Sequence, residues 1–382
     1  MANILFVTTT TDRRSGQKTK KTQKLTVMIT LSTTSKPKRA GGTRRHTLGI
    51  DIGTNAIKMA SMVWENEGWT ATNRLTLPIP RQPQDFPQEV FDGLLSEQLQ
   101  PLQNRRLAQK HECACVLPMS LTDLRSVEVP QGSESDVEQM ALESLKELYP
   151  DDFDERITRV WQQKETGHDL AHVASLSLPD ILAVRIVEQL ATAKLNCGAI
   201  DGLPFALARA ADMSPAGRSD QPIALLDWGH TSVTFVVSRK GRPEFVRTFR
   251  DCGGHRSIAA VAQGLGLDHG DTRNVLSTFG LPGEDAAAPV PESIDLLMAP
   301  ELQRIGAELR KTLLYLQHHI SGLMPSRLLL FGGMAAIPNI ATAVQTHSGM
   351  ETVAWSLTED DSNRSDPLYA VAMAASVGEL SQ

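Results

Sequence analysis

The sequence predicts a two-domain α/β protein whose second half repeats the architecture of the first. Each half opens with three strand-like segments, and the first strand of each half ends in an Asp-X-Gly sequence. Helical and strand-like segments then alternate in both halves, as in layered α/β folds. A chain of 382 residues is long enough for two domains of ordinary size.

The first half is assigned to residues 46–220. Its opening strands are separated by Gly- or Asn-containing turns, and a Pro-rich link leads into the first helix. Ser135 and Glu138 resemble a capping box that begins a later helix, which Pro150 ends. The predicted strands are 47–52, 56–63, 69–79, 112–117, 121–129, 157–163, 170–178 and 197–200, and the predicted helices include 88–100 and 203–213.

The second half is assigned to residues 221–382, after the boundary segment 213–222, which is rich in Pro, Ser and Gly. Its opening strands repeat the pattern of the first half. An Ala- and Val-rich helix follows Gly253 and Gly254, and residues 280–291 are expected to form a loop. The predicted strands are 223–227, 232–237, 243–249, 328–331 and 352–355. The longest predicted helix is 301–320, and the last is 368–380.

Charge is distributed unevenly along the chain. Residues 1–45 hold eleven Lys/Arg and one acid, so removing their +10 from the total of −6 leaves −16 on the rest. We predict a basic disordered tail there. An acidic body disfavours nucleic acid as a partner, because phosphate neutralisation needs a cationic face.

Several sequence features predict a cytoplasmic protein. No run of 18 apolar residues is present, and the N-terminal residues lack the apolar centre of a signal peptide. Four scattered cysteines do not form a disulfide framework. We therefore expect reduced thiols and no direct membrane insertion.

Two Asp-X-Gly turns are candidate phosphate sites. In the first, Asp51 precedes Gly53 and Thr54, so backbone N–H groups and a hydroxyl can face a phosphate. The carboxylate suits water-mediated contact with Mg²⁺. The second turn repeats this arrangement with the residues Asp227, Gly229, His230, Thr231 and Ser232. Facing each other, the two turns could clamp the phosphates of a nucleotide together with Mg²⁺ held through water by the two aspartates.

A third candidate is the apolar strand that ends in Gly332 and Gly333, followed by Met334. Two consecutive glycines after a strand let the backbone approach a flat base or a ribose. On these residues alone, a plain strand–helix turn remains the alternative.

In this order, the three segments resemble the phosphate and adenosine motifs of the actin-like ATPase superfamily, a ribonuclease H-like fold. Within it, residues 47–378 most resemble the PilM family of type IV pilus assembly proteins, in the branch that also contains FtsA. The resemblance adds Asn55, Lys58 and the Gly253–Gly254 pair to the nucleotide site, with ATP or ADP as cofactor. It also implies an inserted small subdomain at about 115–178 and a final helix, 366–380, that packs back on the first domain.

The sequence departs from hydrolysing members of the superfamily. Gly202 stands where the chaperone branch has a glutamate that positions water, and His230 replaces a small residue. Because phosphoryl transfer depends on positioning, binding with weak or absent hydrolysis is expected. No catalytic residue is therefore assigned.

Three functions are compatible with these residues. The PilM resemblance implies a scaffold peripheral to the inner membrane, which captures the short N-terminal cytoplasmic segment of a PilN-like membrane protein beside the strand 121–129. A sugar or acyl kinase would need a catalytic carboxylate, for which Asp123 and Asp201 are the candidates. An FtsA-like polymerising cell-division protein is the third alternative.

Overall fold

The computed structural model describes residues 47–65, 68–79, 85–102, 112–163, 170–283, 289–358 and 366–378. The predicted basic tail lies outside these residues. In chain order the strands are β1 (Leu48–Ile52), β2 (Ala56–Glu65), β3 (Gly68–Pro78), β4 (Glu112–Leu117), β5 (Asp123–Pro130), β6 (Arg156–Gln162), β7 (Leu170–Pro179), β8 (Asn196–Gly202), β9 (Ile223–Trp228), β10 (Val233–Arg239), β11 (Arg242–Phe249), β12 (Leu328–Phe331) and β13 (Thr352–Ala354). The helices are α1 (Phe86–Asp92), α2 (Leu94–Leu99), α3 (Glu134–Leu148), α4 (Asp180–Thr192), α5 (Leu203–Met213), α6 (Gly254–Leu265), α7 (His269–Phe279), α8 (Pro289–His319), α9 (Ile340–Ser348) and α10 (Asp366–Val377).

Two five-stranded sheets have the same topology. Their strand orders are β3-β2-β1-β4-β8 and β11-β10-β9-β12-β13. In each sheet three antiparallel strands come first, and the first of them also pairs in parallel with a later strand. The predicted duplicated α/β fold is therefore confirmed. Its consequence for the site is that Asp51 and Asp227 lie at equivalent strand ends.

A third, small sheet has the order β5-β7-β6 and packs against α3. It begins at Asp123, whereas the inserted subdomain was expected from about residue 115. β4 belongs to the first large sheet, because it pairs in parallel with both β1 and β8. The predicted capping box is also shifted: Ser133 and Asp136, rather than Ser135 and Glu138, exchange the reciprocal bonds that begin α3.

Two predicted helices have different bounds in the structure. The helix expected at 88–100 is divided into α1 and α2 by Gly93, whose φ of 121° is not helical. The longest helix, α8, begins at Pro289 and continues through Pro300. Pro300 cannot donate to the carbonyl of Leu296, and Leu296 is 76% exposed, where water can satisfy that carbonyl.

The last described helix, α10, contacts both halves of the molecule. It lies directly on the first sheet, where an ideal Cβ on Gly49 would be 1.8 Å from the carbonyl oxygen of Ala372. At its start, Asp366 pairs with Arg74 of β3 across 2.6 Å. The next residue, Pro367, accepts a hydrogen bond of 3.1 Å from the Gly332 N–H of the second half.

Two further sequence expectations concern membranes and thiols. Within the described ranges, no helix has both the length and the apolarity that a membrane crossing requires. All four cysteines are buried as free thiols. The sulfur atoms of Cys115 and Cys197, which lie on neighbouring strands, are 3.8 Å apart.

Candidate functional site

The first hairpin joins β1 to β2 and holds an ion pair above its turn. Asp51 lies opposite Lys58 in the strand register, and Lys58 Nζ donates to Asp51 Oδ2 at 2.8 Å. The turn is closed by the Gly53 N–H, which donates to the Ala56 carbonyl at 3.1 Å. A Cβ on Gly53 would lie 2.8 Å from the Ala56 carbonyl oxygen, so glycine is needed for this tight turn. Burial lowers the pKa of Lys58, but Asp51, with smaller contributions from Asp227 and Tyr369, outweighs burial and the pKa is raised.

The second hairpin joins β9 to β10 and begins with Asp227. Burial raises the pKa of Asp227 to about 7, with a further contribution from Asp51 and an opposing one from Lys58. The loop after β12 packs against this carboxylate: a Cβ on Gly332 would lie 2.7 Å from Asp227 Oδ1. Gly332 also has a φ of 89°, in the region that favours glycine. The third predicted segment therefore lies beside the second hairpin.

The two hairpins contact each other directly. Thr54 Oγ1 and Thr231 Oγ1 are 3.3 Å apart, although 177 positions separate them in the sequence. A second contact comes from α7, where Arg273 donates to Asn55 Oδ1 at 2.9 Å. Both contacts bring groups of the second half onto the turn of the first hairpin.

The Gly253–Gly254 turn supports the second hairpin from behind. The Gly254 N–H donates to the Gly229 carbonyl at 2.9 Å, so the two turns are joined through their backbones. A Cβ on Gly253 would lie 2.4 Å from the carbonyl carbon of Thr231, and one on Gly254 would lie 2.5 Å from Met334 Cγ. Three segments that are distant in sequence meet here because the two glycines have no side chains.

Cationic and imidazole side chains surround His230, which is half-buried. Burial lowers the pKa of His230 to about 4, with further contributions, largest first, from His255, Arg273, His269 and Lys58. Sequence patterns did not predict a role in the site for His255, His269 or Arg273. They belong to α6 and α7, and no local motif marks them; only the packing of these helices over the hairpins reveals them.

These residues provide a donor set that fits a phosphate with a divalent cation. Two carboxylates, Asp51 and Asp227, repel each other at the strand ends, and a cation between such groups would offset that repulsion. Hydroxyls, exposed turn backbone and the cationic side chains are groups that bind phosphate oxygens. Ser232 and Gly333 complete the two predicted segments, and a Cβ on Gly333 would approach Leu368 Cδ1 at 3.8 Å.

The two carboxylates considered for a kinase are engaged elsewhere. Asp201 is 4% exposed, pairs with Arg209 and accepts a hydrogen bond of 2.8 Å from the Gly202 N–H. Burial raises the pKa of Asp201, opposed by Arg209. Asp123 lies on β5 and accepts a hydrogen bond of 2.7 Å from the Tyr149 hydroxyl. In the described structure, neither carboxylate belongs to the cluster formed by the two hairpins.

No family model and no curated protein matches this sequence. Among solved structures, the chain is similar to a chain of a PilM–PilN type IV pilus biogenesis complex, at 20% identity and a TM-score of 0.65, over 88% of this chain and 98% of that one. It is also similar to the ethanolamine utilization protein EutJ from Carboxydothermus hydrogenoformans, at 12% identity and a TM-score of 0.51, over 89% of this chain and 92% of that one. At these identities the similarity shows the fold, which is actin-like.

Proposed function

We propose that this protein is a nucleotide-binding scaffold of a type IV pilus, or of a related secretion or competence platform. The proposal starts from the actin-like fold and from the contact between its two hairpins. The observation that carries the proposal is the similarity to a chain of the PilM–PilN complex, which extends over 98% of that chain. The scaffold would lie on the cytoplasmic side of the inner membrane and be held there by a membrane partner.

The nucleotide in this proposal is ATP or ADP with magnesium. Asp51 and Asp227 would hold the ion through water, while the turns with Thr54 and Thr231 face the phosphates. The glycine loop at Gly332 would lie beside the nucleoside. The close approach of Gly332 supports this assignment, since a Cβ there would lie 2.7 Å from Asp227 Oδ1 and only a glycine lets the loop pack beside this carboxylate.

The proposed partner is the short N-terminal cytoplasmic segment of a PilN-like inner-membrane protein. β5 is an edge strand of the small sheet, and an extended peptide can add to such an edge through main-chain hydrogen bonds. Ser126 and Glu128 of this strand are exposed, while Leu124 is half-buried on the same face. Such an edge offers both backbone groups and an apolar side chain to a peptide.

The strand register indicates which backbone groups are open. Gln163 donates to the carbonyl of His172 at 2.8 Å, so His172 directs its backbone groups toward the β6 side. These groups alternate along an antiparallel strand, and Ala174 therefore also faces β6. Ser126 lies opposite Ala174, so its N–H points away from β7 and toward the open edge. Arg125, opposite Ser175, points inward to the ladder.

A kinase is the less supported alternative. The carboxylate of Asp201 forms an ion pair with Arg209. Asp123 accepts a hydrogen bond from Tyr149 and lies in the small sheet, apart from the two hairpins. Without an available carboxylate facing an acceptor hydroxyl, the described site lacks the general base that sugar kinases use.

Proline at Ser126 tests the peptide edge. We expect Ser126→Pro to abolish capture of the partner, because it removes an outward N–H and places a ring on the open edge while the ladder to β7 persists. Ser126→Ala, which keeps the N–H, should bind normally. The measurement is co-purification of a membrane protein with one membrane span and a short cytoplasmic N-terminus, followed by fluorescence anisotropy with the synthetic segment.

The same samples should bind nucleotide equally well, since the hairpins lie in other elements. If the folded Ser126→Pro protein retains the wild-type affinity for the segment, the peptide does not bind at β5. If no such membrane protein co-purifies with the wild type, the scaffold proposal is wrong.

A further inference from the structure

Two imidazoles, His230 of the second hairpin and His255 of α6, lie next to each other. The rings of His230 and His255 are 5.6 Å apart between centroids and inclined by 58°. The backbone carbonyl of His230 accepts from the His255 N–H at 2.9 Å and contacts His255 Nδ1 at 2.8 Å. These two bonds attach the start of α6 to the hairpin. The two histidines therefore form one rigid unit, which we call the histidine pair.

The bond to Nδ1 determines the tautomer of His255. A carbonyl oxygen can only accept, so Nδ1 must carry the proton. In the neutral ring, Nε2 is then the unprotonated nitrogen, and a second proton there makes the ring a cation. The His230 carbonyl therefore engages Nδ1 of His255 and leaves Nε2 outside this contact.

Charged or titratable side chains of several neighbouring elements lie around the histidine pair. Lys58 on β2 and Arg273 and His269 on α7 contribute positive or titratable groups, while Asp51 and Asp227 on β1 and β9 are the acids of the same site. Lys58 is bonded to Asp51. Arg273 is bonded only to the neutral amide of Asn55 among the described contacts. Lys58 and Arg273 thus match the two aspartates in number, so the imidazole of His230 is the group in this hairpin that can add positive charge beside a phosphate.

We propose that His230 and His255 bind the phosphate chain of the nucleotide, and that the histidine pair takes up a proton when the nucleotide binds. This inference rests on the proposed nucleotide-binding function and adds the coupling between nucleotide and proton. His230 belongs to the turn itself, between Gly229, whose carbonyl anchors Gly254, and Thr231, whose hydroxyl contacts Thr54. Its imidazole is thus attached at the point where the two hairpins meet.

The direction of the coupling follows from the charges. Burial and the neighbouring cations hold the pKa of His230 at about 4, so the ring is neutral at pH 7 in the free protein. A phosphate chain beside it favours the cationic ring and raises that pKa. A proton is then taken up at every pH between the free and the bound pKa. Nucleotide affinity therefore increases as pH falls through the bound pKa, by at most about tenfold per pH unit for each proton.

The experiment measures binding of the non-hydrolysable ATP analogue AMPPNP with magnesium by titration calorimetry between pH 6 and 8. Two buffers with different ionisation enthalpies report the number of protons taken up. The proteins are the wild type, His230→Gln and His255→Gln, which keep the size and polarity of the side chain. His318→Gln is the matched control, because His318 is exposed near the end of α8. Thermal unfolding verifies that each variant is folded.

We expect proton uptake by the wild type and by His318→Gln, with affinity rising several-fold from pH 8 to pH 6. His230→Gln should bind more weakly at pH 6 and lose the uptake, and His255→Gln should reduce it. The titration of AMPPNP itself is common to all four proteins and cancels in the comparison. Equal proton uptake in the wild type and in folded His230→Gln would overturn the coupling alone. Absence of AMPPNP binding by the wild type at every pH would instead overturn the nucleotide-binding proposal on which it rests.

Discussion

Lys58 donates a 2.8 Å hydrogen bond to Asp51 seven residues earlier, while burial and Asp51 raise the pKa of Asp227 to about 7. The two halves therefore contribute equivalent carboxylates in unequal electrostatic states. Asp51 is bonded to an ammonium group, whereas burial and the charge of Asp51 disfavour ionisation of Asp227. A divalent cation would have its largest effect on Asp227, because its charge would favour the ionised form of that carboxylate.

The first prediction concerns this pair of carboxylates. Asp51→Asn and Asp227→Asn should each weaken binding of magnesium–ATP by about 10- to 100-fold, because each removes a charge that orders the water ligands of the ion. Titration calorimetry measures the effect. Asp123→Asn is the control, since Asp123 is bonded within the small subdomain. If both site variants bind as tightly as this control, the aspartates do not hold the ion.

The second prediction concerns the pH dependence of stability without metal. Asp227 binds a proton more tightly in the folded chain, at a pKa of about 7, than at its ordinary value of 3.8. The folded state therefore holds more protons between these values, and the free energy of unfolding falls as pH rises from about 4 to 7. Above about pH 7, the titration of Asp227 lowers the free energy of unfolding no further.

Asp227→Asn removes the free-energy cost of ionising a buried carboxylate in the folded protein. In EDTA, it should raise the free energy of unfolding at pH 8 by about 1 to 3 kcal/mol and change it little at pH 4.5. Urea unfolding at both pH values is the measurement, and Asp220→Asn is the control at an exposed position. Equal effects of Asp227→Asn at the two pH values would contradict the prediction.

The third prediction is that ATP hydrolysis is very slow. Gly202 has no side chain to orient water, and a Cβ there would lie 2.3 Å from Leu176 Cδ2. Leu176 is fully buried, so the packing of β7 occupies the place of a larger residue. We expect a turnover far below the roughly 1 per second of ordinary enzymes. A phosphate-release assay measures it, with Asp227→Asn to reveal contaminating ATPases. Turnover near 1 per second that disappears in this variant would show that another group positions the water.

The fourth prediction tests the contact between the first sheet and α10. Gly49→Ala should lower the free energy of unfolding by about 2 to 3 kcal/mol or more, because its Cβ would overlap the Ala372 carbonyl. Gly68→Ala, also in the first sheet, is the control, since its nearest atom would be 3.9 Å away. Urea unfolding of both variants gives the comparison. Similar effects would mean that α10 can move away from β1 at little cost.

Local sequence patterns predicted the strands well and the site only in part. The repeated meander and its Asp-X-Gly ends were recognisable because strand periodicity and glycine turns are local properties. The start of α3 was misassigned, since Ser133 with Asp136 and Ser135 with Glu138 offer the same pattern and only the backbone geometry selects the first. The contact of Arg273 with Asn55 spans 218 positions and could not be read from spacing.

Helix α8 shows a different limit of prediction. Pro300 argues for an ending or a loop when considered locally. The helix nevertheless continues, because its buried residues, among them Ile294, Met298 and Leu302, form one stripe against the second sheet. Tertiary burial outweighs a single missing backbone hydrogen bond.

The position of α10 has a consequence for the order in which the polypeptide can mature on the ribosome. The strands of the first sheet are all synthesised by residue 202, yet the helix that covers Gly49 and Arg74 is not complete until residue 377. One face of the first domain therefore remains uncovered while the second half is translated. Its apolar residues lack this cover during that interval, when exposed apolar surface favours aggregation of an incomplete chain.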